Sequence, residues 1–211
     1  MTGEEKLRRA TRGYVLAGGA SSRFGSDKAL VRLGGETVLS RMCTLIENVT
    51  GRVSVVAATN RYSDLSTSIV PDRWPGEGPL GGIITALRAT AETNGGEWNP
   101  IVSCDMPFLT REWLSYQVEG VLAGDAEVIV ARSEHGLEPL CACWRTAAVV
   151  KLQDAFDEGV RKVTEAMKRL RVEVLDETHW KRFDTAGKLF WNMNTPQDYE
   201  EAVRIWRMER E

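Results

Sequence analysis

The chain has 211 residues, 43% of them hydrophobic and 27% charged, the profile of an ordinary globular domain with enough apolar residues for a core. Its 27 Lys and Arg against 30 Asp and Glu leave a net charge of -3, which argues against a dedicated nucleic-acid binder. No apolar run approaches the roughly 20 residues of a membrane helix, residues 1–12 are charged with no apolar stretch of a secretory signal, and four cysteines do not make a disulfide scaffold at this length. The expectation is a cytoplasmic protein of one domain over residues 1–211, with a flexible start at 1–12 and neither a nucleic acid nor a membrane as partner.

Tyr14-Val15-Leu16-Ala17 is a short apolar run that ends at Gly18-Gly19, and it reads as a buried strand leaving into a loop. Residues 36–48 carry Val38, Leu39, Met42, Leu45 and Ile46 on one helical stripe. Residues 53–58 are the next strand, and Ser68-Ile69-Val70 a third, stopped by Pro71. Residues 79–92 show helical spacing, with Pro79 suited to the first turn because its missing N–H costs nothing there. Residues 100–104 form a fourth strand that runs into Asp105-Met106-Pro107. Residues 110–121 read as a helix capped by Thr110, and 127–131 as a fifth strand. Residues 139–144 are extended and apolar, 145–157 and 160–170 helical, and 172–175 a short strand. Thr195-Pro196-Gln197-Asp198 opens the last helix, with Thr195 as its cap.

Continuous apolar strands alternating with amphipathic helices predict a mostly parallel sheet covered on both faces. Ligands of such sheets bind beyond the carboxyl ends of the strands. Two polar features sit there: the loop from Gly18, after the first strand, and Asp105, after the fourth. Both therefore open on one edge of the sheet.

The loop runs Gly18-Gly19-Ala20-Ser21-Ser22-Arg23-Phe24-Gly25-Ser26-Asp27-Lys28. Glycines allow close backbone approach, and successive N–H groups then cradle phosphate oxygens, with Arg23 and Lys28 adding positive charge. The loop has neither the Gly-Lys-Ser/Thr ending of a Walker loop nor the alternating glycines of the dinucleotide fingerprint. On spacing alone it is either a phosphate cradle or an ordinary turn with surface charges. Gly81-Gly82, after Pro79 at a helix start, is either an anion-friendly helix N-terminus or a site of close packing. Cys104, Cys141 and Cys143 read as structural thiols, since no further Cys or His pair accompanies them as a zinc set would require.

Residues 16–30 resemble the signature loop of the MobA-like nucleotidyltransferases. Four further blocks follow in that family's order: Asp72, Gly78-Pro79-Leu80-Gly81-Gly82, Cys104-Asp105-Met106-Pro107 and Asn192-Met193-Asn194-Thr195-Pro196. The resemblance covers about residues 13–205 and implies a three-layer α/β, Rossmann-like nucleotidyltransferase fold with a mostly parallel central sheet. It further implies nucleotide contacts from Leu16, Ala17, Gly18, Lys28, Asp72 and Asp105, and catalytic roles for Lys28, Arg23 and Asp105. Asp105 would hold Mg²⁺, and Gly81, Gly82, Asn192 and Asn194 would line the acceptor side.

Gly18-Gly19 after Ala17 leans toward the guanylyl branch of the family, in which GMP passes from GTP to molybdopterin. Molybdenum-cofactor pathway enzymes are then expected partners. One departure stands against guanine: Ala58 occupies a place where that branch often has Asn, two residues before the Asn60-Arg61 pair. Cytidylyl transfer to molybdopterin, nucleotidyl transfer to another small phosphate, and a non-catalytic nucleotide-binding or cofactor-delivery module are the competing readings.

Overall fold

A computed structural model describes residues 3–18, 27–120, 124–184 and 187–208. In chain order it contains α1 (Gly3–Ala10), β1 (Gly13–Leu16), the short pair β2 (Arg32–Leu33) and β3 (Glu36–Thr37), α2 (Val38–Thr50), β4 (Val53–Ala57), β5 (Ser68–Pro71), α3 (Pro79–Glu92) and β6 (Trp98–Ser103). There follow α4 (Arg111–Gly120), β7 (Val128–Ser133), β8 (Gly136–Arg145), α5 (Val149–Asp157), α6 (Val163–Ala166), β9 (Val172–Leu175), α7 (Glu177–Trp180) and α8 (Pro196–Met208).

Seven strands form one sheet in the order β5-β4-β1-β6-β8-β7-β9. All run parallel except β8, which is antiparallel to both β6 and β7. The reversal follows from local chemistry. Ser133 pairs with Gly136 across a two-residue turn, and Gly136 takes φ 115°, so β7 folds straight back as a hairpin. The chain winds outward from β1 through β4 to β5, then returns through α3 to place β6 on the other side of β1. Strand order therefore reverses between β1 and β6, and a crevice opens at their carboxyl ends.

Alternation along the strands sorts the core into two layers. Val15, Val55 and Val102 face α2 and α4, where Leu39, Met42, Ile46, Trp113 and Leu114 are buried. Tyr14, Leu16, Val56 and Ile101 face α3 and α5, against Leu80, Ile83, Ile84, Leu87 and Leu152. Cys141 and Cys143 share the first face, as their spacing predicts. Among the described residues no helix is long and apolar enough to cross a membrane.

Several boundaries differ from expectation for visible reasons. The helix expected from residue 36 starts at Val38. Glu36 and Thr37 instead pair with Arg32 and Leu33 across Gly34 and Gly35, which take φ 66° and 95°, and the Thr37 hydroxyl caps the helix by accepting from Ser40 N–H at 3.1 Å. The stretch 160–170 is helical only over Val163–Ala166 with a 3₁₀ turn at Met167–Arg169, because Gly159 (φ 92°) breaks the chain after α5. The charged start, expected to be flexible, includes α1, whose Leu7 packs on the α2-side core. The helix α7, absent from the sequence reading, is capped by Asp176, which accepts from Thr178 N–H at 3.0 Å.

Gly13 begins β1 under α2, and a Cβ there would collide with Ile46 and lie 2.9 Å from the Thr50 hydroxyl. Gly13→Ala should therefore cost about 1–3 kcal/mol in urea unfolding, the range for overpacking a tight core. In an Ile46→Ala background the same change should cost less. An equal cost in both backgrounds would refute this account of the glycine.

Candidate active site

The main chain first brings the two expected polar sites together. Cys104 N–H donates to the Leu16 carbonyl at 3.1 Å, which carries the β1–β6 pairing past the strand ends. Asp105 therefore stands beside the start of the glycine-rich loop. At the loop's far end, the Asp27 carboxylate accepts from Ala29 N–H at 3.1 Å and caps a 3₁₀ turn over Lys28–Leu30. From this turn Lys28 reaches back across the crevice, and its Nζ lies 2.5 Å from Asp105 Oδ2 and 3.1 Å from Asn194 Oδ1.

The segment from the far end of the chain is tied to the same point, because Met193 N–H donates to the Asp105 carbonyl at 2.8 Å. The side chains of Lys28 and Asp105 are only 17% and 12% exposed. Asp105 Oδ2 is paired, whereas Oδ1 is buried and has no hydrogen-bond partner among the described residues. A buried carboxylate oxygen left unpaired is costly, so this atom is disposed toward a ligand that supplies positive charge or a donor.

The pair opens on a cavity of about 300 Å³. Leu16, Val56, Pro79 and Leu140 form apolar walls; Gly18, Gly76, Gly78 and Gly82 expose backbone; Lys28, Asp72, Ser103 and Asp105 supply polar groups. Asp72 is fixed through one oxygen, which accepts from Trp74 N–H at 3.0 Å and from the Thr85 hydroxyl at 3.3 Å. Its other oxygen would lie 3.5 Å from a Cβ placed on Gly18, so the two positions adjoin. Ala17 continues β1, its N–H donating to the Val56 carbonyl at 2.9 Å.

The predicted set is therefore gathered in part. Leu16, Gly18, Lys28, Asp72, Gly82 and Asp105 line one cavity, and Asn194 holds Lys28. Gly81 does not line it: a Cβ there would lie 3.1 Å from Trp74 Cβ and 3.7 Å from the Phe156 ring, so this glycine permits close packing. Trp74 packs against Phe156 with tilted rings, centroids 5.2 Å apart, and is not among the residues lining the cavity. The Asn192 amide donates to the Phe190 carbonyl at 3.3 Å within its own turn, and the residue is not among those lining the cavity. Arg23 lies outside the described residues. Burial pushes the Cys104 thiol up to about 12, so it is protonated at neutral pH and acts as core.

Three residues that the sequence did not single out for the site support it. Both Arg61 and the Tyr62 hydroxyl donate to Asp27 Oδ2, the latter at 2.9 Å. Asp198 braces the Asn194 turn, accepting from Asn194 N–H at 2.8 Å and Thr195 N–H at 2.7 Å, while its own N–H donates to the Thr195 hydroxyl at 3.1 Å. The last was legible as a reciprocal cap. The first two had no local signal beyond the Asn60-Arg61 pair, because their partner lies 34 and 35 residues away.

Burial tends to raise the Asp198 pKa, but the backbone donors and the Thr195 hydroxyl outweigh it and hold the carboxyl below its usual range. A depressed folded pKa contributes stability that is complete above the unfolded value and disappears as pH falls through the folded one. Asp198→Ala should cost about 1 kcal/mol at neutral pH, as for a lost cap. The difference from wild type should shrink in melts taken at strongly acidic pH. A difference that is flat across that range would exclude the ionised cap as its cause.

Residues 13–172 match the model of the MobA-like NTP transferase domain family. A probable molybdenum cofactor guanylyltransferase of Chloroflexus aggregans is 31% identical over 88% of this chain and 90% of its own. Another, of Carboxydothermus hydrogenoformans, is 29% identical over 92% and 95%. The crystal structure of molybdopterin-guanine dinucleotide biosynthesis protein A from Archaeoglobus fulgidus superposes with a TM-score of 0.80 at 26% identity, covering 93% of this chain and 99% of the other. With the strand order, the paired Lys28 and Asp105 and this match in view, the chain belongs to the MobA-like NTP transferase family.

Proposed function

We propose that the protein is a molybdenum cofactor guanylyltransferase, which transfers GMP from GTP to the terminal phosphate of molybdopterin and releases pyrophosphate. The observation that carries this reading is the Lys28–Asp105 pair, with Oδ1 of Asp105 buried and unsatisfied, at the point where strand order reverses. The relatives' names support the substrates. In the reaction, an oxygen of the acceptor phosphate forms a bond to the α-phosphorus, and the bond from that phosphorus to the α,β-bridging oxygen breaks. Pyrophosphate departs with the electron pair. The attacking phosphate is already anionic at neutral pH, so no protein base is needed.

The protein's task is positioning and charge compensation. Lys28 would turn from Asp105 to the triphosphate, with Arg23 and the loop N–H groups as further donors. Asn194 keeps the ammonium on the acceptor side. Asp105 fits Mg²⁺, because that ion takes one or two carboxylates and completes its shell from phosphates and water, and Oδ1 offers an uncommitted buried oxygen. Bound there, the ion would neutralise phosphate charge. Gly82 and Asn194 fit the acceptor side better than Gly81 and Asn192, which serve packing and a local turn.

Two measurements test the reading. Pyrophosphate release should be seen with GTP, Mg²⁺ and molybdopterin together, and much less with CTP; a strong CTP preference would move the protein to the cytidylyl reading, and GTP binding without turnover to that of a delivery module. Lys28→Ala should lower turnover roughly 10²–10³-fold, the loss typical of a donor to developing charge, a far larger effect than its cost in stability read from the melting temperature. Wild-type turnover in that variant would reject the assignment of Lys28.

A further inference from the structure

The turn after β4 contains a conformation that the reaction does not explain. Asn60 and Tyr62 have φ 65° and 59°, in the left-handed region that a side chain with a Cβ disfavours and an aromatic residue rarely takes. Something must hold Tyr62 there, and the contacts show what. Its ring packs half-buried against the α2-side core, and its carbonyl accepts from Leu65 N–H at 3.0 Å. Its hydroxyl donates to Asp27 Oδ2 at 2.9 Å, with the Ala17 carbonyl at 3.4 Å as a weaker second acceptor.

Ala17 and Asp27 stand at the two ends of the glycine-rich segment, so one hydroxyl touches both. The Arg61 guanidinium pairs with the same Asp27 oxygen and stands 5.0 Å from the Tyr62 ring centroid. The second Asp27 oxygen caps the turn whose first residue is Lys28. The carboxylate is thus held from three directions, immediately before the ammonium that crosses the crevice. Burial and the adjacent carboxylate both push the Tyr62 hydroxyl pKa up, which keeps it a donor across the physiological range.

We propose that Tyr62 is a positioning residue for Lys28: its hydroxyl locks Asp27, and the locked Asp27 fixes the turn from which Lys28 reaches Asp105. The proposal rests on the assignment of Lys28 to the triphosphate made above. It assigns the turn after β4 to the support of the loop, not to contact with the nucleotide.

Tyr62→Phe tests this, because it keeps the ring and its packing and removes only the hydroxyl. Lys28 acylation by a trace amine-reactive reagent, read by mass spectrometry on the intact chain, needs no turnover. Asp105→Asn sets the scale, since it removes the charge that pairs with Lys28. In Tyr62→Phe the labelling of Lys28, relative to the other lysines, should rise roughly threefold or more, as for a weakened ion pair. The melting temperature should stay near wild type. In turnover, kcat should fall roughly tenfold, with KM for the triphosphate little changed, as for a reacting group held less well in place. Asp27→Asn, which keeps a cap oxygen but loses the charge, should raise the labelling similarly and serves where Tyr62→Phe folds poorly.

Lys28 labelling at the wild-type rate in both variants would overturn the proposal, whatever happens to activity. A rise in labelling with kcat unchanged would also overturn it, since the geometry of Lys28 would then not matter to the chemistry. A wild-type protein that turns over no triphosphate would instead reject the functional reading, and the labelling would still report whether Tyr62 positions Lys28.

Discussion

The structure depends on one electrostatic constraint: a lysine and an aspartate must meet in a crevice that covers most of both. Neither charge could be held there alone without a large loss of hydration, so each makes the other tolerable. The topology makes the meeting possible. Neighbouring strands lie about 4.8 Å apart, and the order reversal between β1 and β6 opens a crevice at their carboxyl ends. A long side chain leaving the loop after β1 can then cross to a short one on the end of β6. The pair is also incomplete in a useful way. Lys28 pairs with one oxygen of Asp105, and among the described residues the other is buried and has no hydrogen-bond partner.

The third member of the cluster comes from outside the stretch that matches the family model, which ends at residue 172. Asn194 reaches Lys28 because α8 is anchored on the β2–β3 hairpin. Trp206 of α8 sits where a side chain on Gly34 would stand and lies under the Arg41 guanidinium, 4.2 Å from its ring centroid, while the Tyr199 hydroxyl donates to the Arg32 carbonyl at 3.0 Å. From the first turn of α8, Asp198 closes the Asn194-Thr195 turn, and Met193 just before it joins the Asp105 main chain. The last helix thus completes the site by fixing a short polar segment against its rim, and its stability and that of the crevice are linked.

Much of this was legible in the sequence because its signals are local. The apolar run at Tyr14–Leu16, Pro79 at the start of α3, Thr195 ahead of Pro196 and the carboxylate after β6 each carry their meaning within a few residues, and the structure places them as read. What was not legible depends on distant partners. No periodicity distinguishes the antiparallel β8 from a parallel strand; the two-residue turn before it does. Gly81 and Gly82 are chemically identical, and only the fold separates them, with Trp74 over one and the cavity over the other. Asp27 looked like one more polar residue of a loop until the chain returned from β4 with Arg61 and Tyr62.

That return bears on base selection. The ion pair acts on phosphates, which every nucleoside triphosphate shares, so it cannot choose among bases. In the turn after β4, the place where Ala58 departs from the guanylyl pattern, Arg61 is committed to Asp27, Asn60 is exposed and neither lines the cavity. The Arg61 and Tyr62 side chains of this turn are thus engaged with Asp27. Among the described residues the uncharged polar features of the cavity include the Ser103 hydroxyl, the Cys104 thiol and the backbone at Gly18, Gly76, Gly78 and Gly82, against which a base edge could be read. Gly76 and Gly78 take φ 87° and 91° with open space where a side chain would be, so their amides and carbonyls are accessible to a planar ligand at close range.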